Sequence, residues 1–243
     1  MPSPPVAIVS CHLEEPLRDD SWAQFDALQR RRPGGFDVIA LIRPPDPEHG
    51  EDESAWLERA TVAAARAPIG LHTHWTSPTH ARPTGGNPAG RVRAETGWMR
   101  EHGIEPRFFC GGGWYTDENV RATVAELGLV DCTARTGLPA PGVLPTTHSV
   151  GRLARAVLRP LPPYVHAYFH DYDLLDPVRR TALLASLAVL VLAYQTAVAV
   201  MFVGETRYRA PWDFLIALLA GKALVEIAGR IRAQRARARG SPV

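Results

Sequence analysis

Ile69-Gly70-Leu71-His72-Thr73-His74-Trp75 is a short apolar run that turns polar at its end. Successive residues of a strand point to opposite faces, so His72 and His74 fall on one face where the run leaves its sheet. The same form recurs on either side. VAIVSC (6–11) runs into His12 and Glu14, again two apart, and YVHAYFH (164–170) carries His166 and His170 on one face. FDVIALI (36–42), PRFFC (106–110) and LVDCTA (129–134) are further strand candidates. Helical patterns lie between them at 21–32, 54–67, 87–103, 116–128 (with Thr116 as cap) and 149–160. Strand–helix alternation with short connections predicts an α/β fold with a mostly parallel sheet or barrel.

In such folds the strand C-termini open onto the ligand site. Three strand ends would therefore bring imidazoles and a carboxylate to one mouth. That donor set suits zinc or another divalent metal, and such metals activate water. His72, His74 and Glu14 are the candidate ligands, with His80 in the loop SPTHARP a further one. His12 and His170 complete the group at the strand ends. A single histidine is more often structural than functional, and only the convergence sets these apart. His49 and His102 read as surface residues, and His148 stays open.

Other patterns exclude more than they suggest. Three cysteines without a CxxC cannot build a disulfide framework. A formal charge of +2 gives no reason to expect nucleic acid. Gly111-Gly112-Gly113 lacks both GxGxxG and a GKS ending, so it reads as a tight turn rather than a phosphate cradle. Cys110 beside it reads as a buried thiol.

The chain changes character near residue 180. Residues 181–203 contain no charge, against about 20 residues needed to cross a bilayer. Arg179-Arg180 precede them. A membrane span and a buried C-terminal helix are the two readings, the span favoured by length and basic flank. Segment 214–229 is apolar but carries Lys222 and Glu226, and reads as a second span, an interfacial helix or an amphipathic helix. Residues 230–243 form a basic tail. The expected organisation is thus a first domain at 1–180, a transmembrane hairpin segment at 181–229, and the tail at 230–243. No signal peptide is legible, and the arginines flanking both outer ends place the first domain in the cytoplasm, attached to a membrane.

Against that reading, IGLHTHWTSPTH resembles the metal-binding segment of polysaccharide deacetylases (the NodB-homology fold), where "E-[IL]-G-x-H" runs into a second histidine. PRFFCGGGWYTDENVRATVAELGLVDCTA resembles their later strand, "R-x-P-x-G" turn and helix. VHAYFHDYDLLDP resembles their closing segment, and VSCHLEEP sits at their Asp pair. The resemblance covers residues 6–180 and implies a distorted (β/α) barrel. It implies a divalent metal, water activated on it, and removal of an N-acyl group from an amino sugar of a glycan or lipid-linked saccharide. By position it implies His72 as ligand, His170 as general acid, Glu14 as ligand or base, and Asp131 as the residue orienting a catalytic partner. The pattern is departed from at His12, which stands for the first Asp, and at Thr76, so that His74 or His80 must supply the second histidine. A non-catalytic carbohydrate-binding module of the same fold is the alternative. A metallohydrolase of the amidohydrolase type fits less well, since HTHW is not on the first strand. AVMFVGETRYRAPWDFLIALLAG is similar to the last membrane segments of protein-mannosyltransferase-type glycosyltransferases, without their catalytic region.

Overall fold

The computed structural model describes residues 6–134, 137–149, 151–153 and 162–203, and for 191–203 the backbone alone. Among the described residues, strands and helices alternate as far as β5, and two further strands and a helix follow: β1 (Val6–Leu13), α1 (Asp19–Arg31), β2 (Val38–Ile42), α2 (Glu53–Ala64), β3 (Ile69–Thr73), α3 (Pro88–Glu101), β4 (Phe108–Gly111), α4 (Glu118–Glu126), β5 (Val130–Asp131), β6 (His148–Ser149), β7 (Tyr164–His170) and α5 (Pro177–Val203). The strands form one parallel sheet in the order β5-β4-β3-β2-β1-β7-β6. The expected parallel α/β architecture is present.

Alternation along each strand makes two cores. Val9, Cys11, Leu13, Val38, Ala40, Ile42, Leu71 and Phe109 face outward and meet Phe25 and Leu28 of α1, Trp56 and Ala60 of α2, Met99 of α3 and Val124 of α4. Ile39, Leu41, Cys110 and Cys132 form a smaller inner cluster with Ile8, Phe108, Trp114 and Leu144. A sheet covered on both faces needs near-continuous apolar strands, which is what β2 and β3 supply.

Segment 142–149 joins the two edges of the sheet. Asp131 N–H donates to the Gly142 carbonyl (2.8 Å) and Leu144 N–H to that of Asp131 (2.9 Å) on one side. Thr147 N–H donates to the His166 carbonyl (2.9 Å) on the other, where β6 pairs with β7. These bonds tie both ends of the half-barrel together through one segment, with the strand C-termini at one mouth.

Local chemistry starts the helices. The Asp52 carboxylate accepts from Ala55 N–H (2.9 Å) and the Asn87 side chain from Gly90 N–H (2.9 Å). At α4 the cap is Asp117, whose Oδ1 accepts from Val120 N–H (2.8 Å), one residue beyond the expected Thr116. A carboxylate at this end also meets the positive pole of the helix.

The chain divides into two units, Met1–Val191 and Leu192–Val243. The first takes in residues expected to cross a membrane. Leu183, Leu187 and Leu190, one stripe of α5, are buried at 1%, 0% and 2% exposure in the outer core. Among the described residues no helix is long and apolar enough to cross a membrane. Segment 214–229, the basic tail and nearly all of the mannosyltransferase-like stretch lie outside the described residues.

Candidate metal centre

Three parallel strands deliver the polar groups. Glu14 follows β1, His72 lies in β3 with His74 just beyond it, and His170 ends β7. β1 and β7 are neighbours with His12 opposite His170, so both rings reach the same mouth. Glu14 is the hub. Its Oε2 lies 2.7 Å from His74 Nε2, and its Oε1 lies 3.3 Å from His72 Nε2 and 3.8 Å from His170 Nε2. His72 and His74 are each 3% exposed.

The outer nitrogens of the two histidines decide what the inner ones offer. His72 Nδ1 is 2.9 Å from the Cys110 carbonyl, and His74 Nδ1 is 2.7 Å from the Pro78 carbonyl. A carbonyl only accepts, so Nδ1 carries the hydrogen and donates in both rings. In the neutral ring the Nε2 lone pair then faces the carboxylate. Acceptors opposed at these distances require a cation between them, either a proton or a metal. His74 Nε2 is among the buried polar atoms without a hydrogen-bond partner. Glu14, His72 and His74 together form a ligand set whose donor atoms lie within 4.8 Å of one another. A carbonyl that fixes the tautomer of each histidine is the usual support of a metal-ligating imidazole. The residues present fit a divalent ion.

Electrostatics agree with the geometry. Where the cation is a proton on each ring, burial pushes the Glu14 carboxyl up, but hydrogen bonds and charge from the protonated His72 and His74 outweigh it and hold it far below the usual carboxylate range. Burial, with His72 and His170 alongside, drives His12 well down, so it is neutral. His170 is backed by a carboxylate that the sequence reading missed. Asp173 Oδ2 accepts from His170 N–H (3.0 Å) and lies 3.7 Å from its Nδ1, while Oδ1 pairs with Arg179 (2.7 Å). Burial raises Asp173, but His170 and Arg179 prevail and bring it down to about 2. The D-Y-D run after His170 was the only signal for it. Tyr172 stacks on His170 with ring centroids 4.8 Å apart.

Not every expected residue joins. His80 is exposed, its Nδ1 within 3.1 Å of Thr79 Oγ1 and 3.3 Å of Ser77 Oγ, and it takes no part in the ligand set. Asp131 is buried in β5, where its Oδ1 accepts from Thr133 N–H (2.7 Å). It shapes a turn at the edge of the sheet, and Asp173 stands beside His170 instead. His166 is fully buried below the mouth, with Nε2 2.9 Å from Ser10 Oγ and Nδ1 3.1 Å from the Leu144 carbonyl. Burial lowers it to about 4, so it is a neutral, satisfied core residue. The triple glycine serves packing: a Cβ on Gly111 would come within 2.0 Å of the Tyr115 carbonyl oxygen, and one on Gly112 within 2.5 Å of that of Thr73. Cys110 is a buried thiol, pushed up by burial.

One wall of the mouth is strained. Trp114 has a φ of 62°, rare for a bulky side chain. Such a conformation costs about 1–3 kcal/mol and persists only where its surroundings impose it. It sets the indole 5.5 Å from the His12 ring and 4.9 Å from that of Tyr168.

No family model matches the chain, and no curated protein matches it. Solved structures do. A CE4 family pseudoenzyme from Bacillus anthracis aligns at a TM-score of 0.50 and 10% identity over 81% of this chain and 63% of its own. A mutant of that pseudoenzyme with restored enzymatic activity aligns at 0.50 and 10%, over 81% and 65%. The fold is of the CE4 type. The chain spans just under two thirds of the length of these two proteins. A family 4 carbohydrate esterase from Streptomyces lividans in complex with acetate aligns at 0.47 and 11% identity, over 79% of this chain and 89% of its own. At such identities the likeness is one of fold.

Proposed function

We propose that this chain is a metal-dependent hydrolase that removes an N-acyl group from an amino sugar of a glycan or lipid-linked saccharide. The observation that carries the reading is the opposition of two tautomer-fixed Nε2 lone pairs to the Glu14 carboxylate, at 2.7 and 3.3 Å, in the mouth of a parallel barrel. The CE4-type fold supports the substrate class.

Glu14, His72 and His74 would hold the ion, which when bound polarises a carbonyl and lowers the pKa of bound water. The chain's own residues supply the rest. The Cys110 and Pro78 carbonyls keep His72 and His74 in the ligating tautomer. His170 holds a proton at Nε2 for the departing nitrogen, and the Asp173–Arg179 pair orients its ring from the Nδ1 side. Buried His12 and half-buried Trp114, their rings 5.5 Å apart, line the back of the mouth. Attachment to a membrane by residues past Val191, with the barrel cytoplasmic, is the localisation we propose from the basic flanks of the apolar segments.

The test is metal content of the full chain beside turnover of an N-acetylated amino-sugar oligomer. About one equivalent of metal, with acetate released and both abolished by His74→Ala, supports the reading. Saturable oligomer binding without turnover, unchanged by chelator, would instead establish the non-catalytic binding module.

A further inference from the structure

The mouth contains more donors than one ion uses. A catalytic zinc takes three protein ligands and keeps one position for water. Glu14, His72 and His74 fill that requirement, yet His12 and His170 point into the same space. One ring nitrogen of His12, one of His170 and a Glu14 oxygen also lie within 4.8 Å of one another. Two donors on one tetrahedral ion at about 2.0–2.1 Å stand roughly 3.3 Å apart, and the Glu14–His170 separation is 3.8 Å. His12 is 2% exposed, and its Nε2 is buried without a hydrogen-bond partner among the described residues. The Glu14 oxygens are already divided, Oε2 toward His74 and Oε1 toward His72 and His170. A carboxylate so placed can bridge.

We propose that His12, Glu14 and His170 form a second divalent-cation site, sharing Glu14 with the first, which fills at higher metal concentration and blocks the reaction. It rests on the proposed hydrolase reading and extends it. Binding displaces the proton of His170 Nε2 to solvent, and a ligated nitrogen has no proton left for a leaving group. Inhibition follows from the same contact that makes the site. The second ion binds more weakly than the first, because two dications share one carboxylate at short range.

The test uses the full chain, stripped of metal and titrated with zinc alone against a chromophoric chelator. Two steps are expected, one tight and one weaker, with hydrolysis falling across the second. His170→Asn, at the partly exposed rim, and His12→Gln should each reduce bound zinc from two equivalents to one and keep the tight step. Because His12 is buried, the rim variant still decides the matter where the His12 variant misfolds. Filled with manganese instead, the wild-type chain should show the exchange-coupled spin signal of an ion pair. A single equivalent at saturation overturns the second site and leaves the first standing. So does a second step that survives both variants, or one lost in Cys110→Ser but kept in His170→Asn. No bound zinc at all removes the hydrolase reading and this inference with it.

Discussion

His166 and His74 sit in the same barrel and are hidden from water to nearly the same degree, 0% and 3% exposed, but their ring nitrogens are in opposite situations. His166 donates through Nδ1 to Leu144 and meets the Ser10 hydroxyl through Nε2, so every polar atom is satisfied. His74 donates through Nδ1 to Pro78 and then turns a lone pair on a carboxylate. Burial is expensive for both, by a few kcal/mol for an unpaired polar group. The floor of the barrel meets that cost with internal hydrogen bonds. The mouth leaves it for a cation to meet. Burial alone therefore does not separate a structural histidine from a functional one, whereas the partner of its second nitrogen does.

The sharpest way to break the contrast is to remove the ligands. His72→Ala or His74→Ala should abolish metal binding and reduce hydrolysis by roughly a thousandfold, since the metal's share of the barrier is several kcal/mol. Metal analysis and steady-state rates on the same preparations check this. His170→Ala should cost a few hundredfold, within the range for a general acid, with the tight metal step retained. Unchanged turnover would end the acid assignment.

The floor makes a prediction of the other kind. His166 is lowered to about 4 in the folded protein against about 6.5 unfolded, so between those values the unfolded chain binds the extra proton. Its contribution is whole above pH 6.5 and is lost as pH falls toward 4, by at most about 3 kcal/mol. Denaturant titrations at pH 7 and pH 5 should show the loss, and His166→Leu should diminish it. A smaller effect is expected at the triple glycine. Gly111→Ala should destabilise by about 1–3 kcal/mol by forcing Tyr115 away, a shift visible in Tm. Asp131→Asn should leave metal content unchanged and the rate within about twofold, because its carboxylate serves a local turn. A large loss of turnover there would return it to the site.

How much of this could be read from the chain depends on distance along it. Short apolar runs such as VIALI and IGLHT, separated by helical patterns, exposed the parallel sheet, and two-residue spacing placed His72 and His74 on one face. The convergence of Glu14 with both followed from strand-end logic. Asp173 was missed because it lies three residues past a strand, in a 3-10 turn that periodicity does not describe. Segment 142–149 was missed because it lacks any apolar period; its hydrogen bonds come from the edges it joins. Residues 181–190 read as lipid-facing because a leucine stripe buried against a barrel and one buried in a bilayer have the same composition. Only the partner distinguishes them.

The pairing of β1 with β7 has a consequence for how the protein is made. Ser10 meets His166, and Glu15 N–H meets the Asp171 carboxylate (2.9 Å), each across 156 residues. The first strand emerges from the ribosome long before its neighbour exists, and loops of that span close late and slowly. Glu14, His72 and His74 come within reach of one another early, but His170 joins them only when synthesis of the barrel is nearly finished. Under the proposed hydrolase reading, a nascent chain would complete its ligand set before it acquires its acid, and hydrolytic capacity would appear abruptly with the last strand.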